Sequence, residues 1–65
     1  MYVVHVFATR LKEKFPEHRK AMKAFNVARK RWRGVAVWYE GTDKKWTRLY
    51  ATEGYPEHLS RPWVD

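Results

Sequence analysis

The chain has no cysteine, only three glycines and three prolines, and nothing close to a membrane-spanning run of apolar residues. Without cysteine, disulfides cannot stiffen a 65-residue fold, and no thiolate is present to act as nucleophile or metal ligand. A bilayer-crossing helix needs roughly 18 or more consecutive apolar residues, and no segment approaches that. The apolar opening Met1-Tyr2-Val3-Val4-His5-Val6-Phe7 has no basic residues before it and no small-residue cleavage site after it. It is not read as a secretion signal, and the expectation is a cytoplasmic protein without membrane contact. Acids are scarce as well: seven Asp and Glu stand against fourteen Lys and Arg, a net charge of +7.

What is present is a concentrated charge and an excess of large rings. Ten cations fall between positions 10 and 33, against only Glu13 and Glu17. Charge gathered this way projects a field of one sign toward any partner. Aromatics make up 17% of the residues, including four Trp and four Tyr. Each buried ring removes about 150–250 Å² from water, which is how so short a chain compensates for its size. Eleven rings exceed what one small core hides, so oligomerisation is one way to cover the remainder.

The expected architecture is a single α+β domain over residues 1–65, of order β-α-β-β, with one amphipathic helix on a three-stranded sheet. Tyr2 to Ala8 is rich in β-branched and aromatic residues without clean alternation, which suits a strand buried on both faces. Thr9 is placed to cap a helix, and a short turn is expected over Thr9–Lys14. A main helix then starts at Pro16 and ends before Gly34. At about 100° per residue, Leu11, Phe15, Ala21, Met22, Phe25, Ala28 and Trp32 share one side, with His18 at its edge. Lys12, Arg19, Lys20, Lys23, Lys30 and Arg31 share the other, with Val27 the one apolar intruder.

Val35 to Glu40 and Lys45 to Ala51 read as a hairpin around Gly41-Thr42-Asp43-Lys44. If Trp38 faces Trp46, then Ala36, Trp38, Trp46, Arg48 and Tyr50 share one face, and Val35, Val37, Tyr39, Thr47 and Leu49 the other. A parallel arrangement of the first two strands would require a right-handed crossover. The expected core is Val4, Val6, Leu11, Phe15, Met22, Phe25, Trp32, Val35, Val37 and Leu49. From about residue 53 an irregular tail is expected, with one turn near Pro56–Ser60, and with Tyr55, Leu59 and Trp63 as its anchors.

No catalytic motif is present: no glycine-rich phosphate loop, nucleophile elbow or paired carboxylates. Small ribonuclease toxins can work with Arg, Lys, Tyr and His alone, and Arg48, Tyr50 and His58 are the candidates for such a site. His5, His18 and His58 lack the spacing of a metal-ligand pair. No cofactor or metal is expected. The function expected is therefore non-catalytic binding of DNA or RNA, with Lys12, Arg19, Lys20, Lys23, Lys30 and Arg31 contacting phosphates. Trp38, Trp46, Arg48 and Tyr50 are candidates for base stacking or for anchoring a partner. The alternative is a compact inhibitor or regulator of the phage or mobile-element type. It would dock its Trp, Tyr and Arg anchors on an acidic surface of a larger host enzyme or nucleoprotein complex.

Overall fold

The computed structural model describes residues 1–62, so the expected anchor Trp63 lies outside the described residues. The fold is α+β, with one helix and a four-stranded antiparallel sheet in place of the three strands expected. In chain order the elements are β1 (Tyr2–Val6), β2 (Leu11–Phe15), α1 (His18–Arg31), β3 (Val35–Glu40) and β4 (Trp46–Ala51). The strands lie in the order β2-β1-β3-β4.

The additional strand is β2, and its formation replaces the short turn expected over Thr9–Lys14. Four residues, Phe7 to Arg10, reverse the chain. The Arg10 N–H donates to the Phe7 carbonyl, and Arg10 takes a left-handed φ of 60°. Thr9 serves this turn and not a helix start: its Oγ1 accepts the Leu11 N–H at 3.3 Å. Leu11, Glu13 and Phe15 then alternate with Lys12 and Lys14, the period of a strand. Phe15 precedes Pro16, which disfavours helical geometry at that position and keeps the strand extended. Glu17, also extended, is the N-cap of α1, with no side-chain hydrogen bond to the first turn.

β1 occupies the interior of the sheet, antiparallel to both β2 and β3. Four of its five residues are buried, His5 among them, in keeping with its lack of apolar–polar alternation. A parallel pairing of β1 with the next strand does not occur. Instead β2 and β3 run in the same direction with β1 between them, and α1 makes the crossover.

Each face of the sheet has its own core. On one side Val4, Val6, Val35 and Val37 pack against Ala21, Phe25 and Ala28 of α1, with Tyr2, Phe15, Met22 and Trp32 at the margin. On the other, Val3, Ala36 and Trp38 pack against Tyr55, with Trp46 and Leu59 beside them. The described residues beyond β4 hold no helix or strand, in line with the irregular tail expected, yet they close this second face. Gly34 joins the two ends of the arrangement. Its N–H donates to the Glu53 carbonyl and its own carbonyl accepts from Phe7. Its φ is +70°, and an added Cβ would lie 3.1 Å from the Gly54 carbonyl oxygen. Only glycine fits such a position without strain.

Two members of the expected core are not in it. Leu11 and Leu49 are exposed. Leu49 is displaced by a bulge: Val37 pairs with Tyr50 but Trp38 pairs with Arg48, leaving Leu49 as the extra residue. The expected pairing of Trp38 with Trp46 is thereby corrected, since Glu40 faces Trp46.

Candidate nucleic-acid interface

α1 carries six cations in fourteen residues and no acid. None of the six forms an ion pair with a described residue; outside the helix, Arg33 pairs with Glu53 at 3.3 Å, both exposed. Their placement follows from how the helix is seated. Ala21, Phe25 and Ala28 face the sheet, so residues about 180° away face solvent. Arg19, Lys23 and Lys30 form this outer crest, with Asn26 between them. From Arg19 to Lys30 the crest runs about 16 Å at 1.5 Å per residue. Lys20, Lys23 and Arg31 turn partly toward β2 and rim a groove. Arg29 leaves the row, its guanidinium lying over the Phe25 ring at 5.9 Å.

Two of these charges oppose the helix itself. Arg29, Lys30 and Arg31 sit in the last turn, where the negative end of the dipole favours them. Arg19 and Lys20 sit in the first turn, where it does not. Cations there cost stability on the order of 0.3–1 kcal/mol each, so helix stability alone does not account for them. Lys12 is separated from this set. It stands on β2, opposite His5 and on the tail side of the sheet. The six-cation helical stripe read from the sequence is five cations on α1 with Lys12 on the other face.

The aromatic set is also divided. Trp38 is only 2% exposed, and its Nε1–H donates to Tyr55 Oη at 2.9 Å. His5 Nδ1 lies 2.6 Å from the same oxygen. Trp38 can only donate, so Tyr55 Oη accepts from it; toward Nδ1 the hydroxyl gives its proton to one neutral tautomer of His5 and accepts Nδ1–H from the other. A proton given by Tyr55 requires an imidazole that is neutral and bare at Nδ1. Burial, reinforced by the charge on Lys12, holds the His5 pKa below its ordinary value of 6.5. Burial also raises the Tyr55 pKa, partly offset by the Trp38 hydrogen bond and by Arg48, which keeps the hydroxyl protonated.

Arg48 belongs to the same assembly. Its guanidinium lies over the Trp38 and Tyr55 rings at 5.8 and 5.7 Å, and donates to the carbonyls of Pro56 and Glu57 at 3.0 and 3.4 Å. Trp46 packs at the edge of this cluster. Tyr50 was expected beside Arg48 but faces α1, its ring 6.3 Å from that of Phe25, because the bulge at Leu49 turns it over. Trp38 and Arg48 are thus engaged by the chain's own tail and are not laid out as a stacking platform. Arg48 and Tyr50 lie on opposite faces of the sheet, so the grouping considered for hydrolysis is not assembled.

The groove was not anticipated. Its walls are β2 and α1, with Val4 and Val6 on its floor, and its volume is about 620 Å³. The one sequence signal for it was Val27, an apolar residue on the polar side of the helix. No family model, curated relative or solved structure matches this chain, so function is argued from its own geometry.

Proposed function

We propose that this chain is a non-catalytic nucleic-acid-binding module that contacts backbone phosphates through α1. The observation that carries the reading is the unopposed charge of the helix, including two cations placed against its dipole. Arg19, Lys23 and Lys30 on the crest, with Lys20 and Arg31 at its shoulder, make a positive ridge whose spacing suits successive phosphates. Each phosphate neutralised releases condensed counterions, which gives affinity without sequence preference. The engagement of Trp38 and Arg48 by the tail supports phosphate contact over base stacking as the main source of affinity.

A salt titration of binding to mixed-sequence duplex tests this. With about five phosphate contacts, log affinity should fall against log salt with a slope of about −4 to −5. The double substitution Arg19→Gln and Lys30→Gln should make that slope shallower by about 1.8. Undetectable binding at low salt, or a slope indifferent to these substitutions, overturns the proposal.

A further inference from the structure

The groove between β2 and α1 leaves part of the helix-side core uncovered by the described residues. Val4, Val6, Ala24 and Ala28 line its depth. At its lips stand Leu11, 43% exposed on β2, and Val27, 58% exposed on α1. Its rim holds Lys20, Lys23 and Arg31 against the single carboxylate of Glu13. Apolar depth with a positive rim describes an occupant that is apolar along one side and acidic along its flanks.

Length and shape narrow the choice. β2 spans about 16 Å at 3.3 Å per residue, and Lys20 to Arg31 covers a similar distance along α1. Three turns of a helix fill that length. The wall of α1 facing the groove presents Ala24 and Ala28, one turn apart, and small side chains let a second helix approach to the 8–10 Å of ordinary helix packing. A second copy of this chain does not suit the rim, because α1, the helix of the described residues, carries six cations and no acid.

We propose that the groove is a docking site for an acidic amphipathic helix of a partner protein. Its apolar ridge enters between Leu11 and Val27, and its carboxylates meet Lys20, Lys23 and Arg31. This is helix-in-groove recognition, with anchors at i, i+3 or i+4, and i+7. The groove shares Lys20, Lys23 and Arg31 with the phosphate-binding ridge, but Leu11 and Val27 have no part in phosphate contact and Arg19 and Lys30 none in the groove, so the two activities separate by substitution.

The test is an NMR titration of the ¹⁵N-labelled protein with an end-blocked synthetic peptide about fourteen residues long. It is built from Leu, Ala and Glu, with Leu at helical spacing. Saturable shifts are expected at the amides of β2 and of Ala24, Val27 and Ala28. The exposed double substitution Leu11→Ser and Val27→Ser, whose fold is checked by circular dichroism, should weaken binding about tenfold or more. Arg19→Gln with Lys30→Gln should leave peptide affinity within about twofold while flattening the salt slope for duplex. The proposal fails if a scrambled peptide, or one with Lys in place of Glu, binds equally well. It fails also if the serine variants bind unchanged, if the shifts fall only on the Arg19–Lys30 crest, or if the groove instead takes a single-stranded oligonucleotide or a second copy of the chain.

Discussion

The two faces of this sheet are closed by opposite means. On one, a regular helix lays down alanine and phenylalanine and satisfies all its interior backbone bonds internally. On the other, a segment with no regular structure is held by a buried polar knot in which Tyr55 Oη joins His5 and Trp38, and Arg48 clamps the carbonyls beyond. A helix can be seated by apolar contact alone. An irregular segment brings backbone groups that have no ladder to join, so it needs specific hydrogen bonds to be held in one place. The difference also assigns labour: the helix side keeps its charges turned outward, while the tail side draws Trp38 and Arg48 into structure.

Removing the apolar seat should have the largest effect. Phe25 is 4% exposed and touches the strand core, so Phe25→Ala should cost about 3–5 kcal/mol in urea or thermal melts. A domain of this size holds only about 3–10 kcal/mol in total, so much of the population should be unfolded at ambient temperature. A loss below about 1 kcal/mol would mean that the helix is not seated by this ring.

Cutting the polar knot while keeping its shape should cost less. Tyr55→Phe preserves the ring contacts with His5, Phe7 and Trp38 but removes the oxygen that both His5 and Trp38 use. Two buried polar atoms lose their partner, and the cost should be about 1–3 kcal/mol. Combining it with Trp38→Phe in a double-mutant cycle should give a non-additive result. Strict additivity would show that the two groups hold the tail independently.

How far each face was legible follows from the same contrast. The helix and the hairpin announce themselves through period, and the central burial of β1 through the lack of one. The tail's anchors Tyr55 and Leu59 were legible as apolar residues in a polar stretch. β2 was missed because Leu11 and Phe15, four apart, satisfy a helical period as readily as a strand's, and the preference of the residue before Pro16 was given too little weight. The exchange of Leu49 and Tyr50 was hidden because a bulge is set by how two strands twist together and leaves no local mark. As a result the charge on Lys12 was placed on the wrong element, and the groove, which exists only because β2 is a strand, had no trace beyond Val27.

The smallest effect expected distinguishes the faces by pH. Folded His5 resists protonation, since it is 1% exposed and lies opposite Lys12. Its pKa is therefore below 6.5, whereas in the unfolded chain it is ordinary. Between the two values the unfolded state binds more protons, so stability rises with pH through that window. The contribution is complete above pH 6.5 and is lost progressively as pH falls toward the folded pKa. Urea midpoints should accordingly decline from about pH 7 to about pH 5.5, above the range where carboxylates titrate. His5→Gln offers Tyr55 an acceptor that does not titrate, so its midpoint should vary less over the same interval. If the two proteins lose stability in parallel, the pH dependence does not arise in the polar knot, and the neutral His5 that holds the tail face together is the wrong assignment.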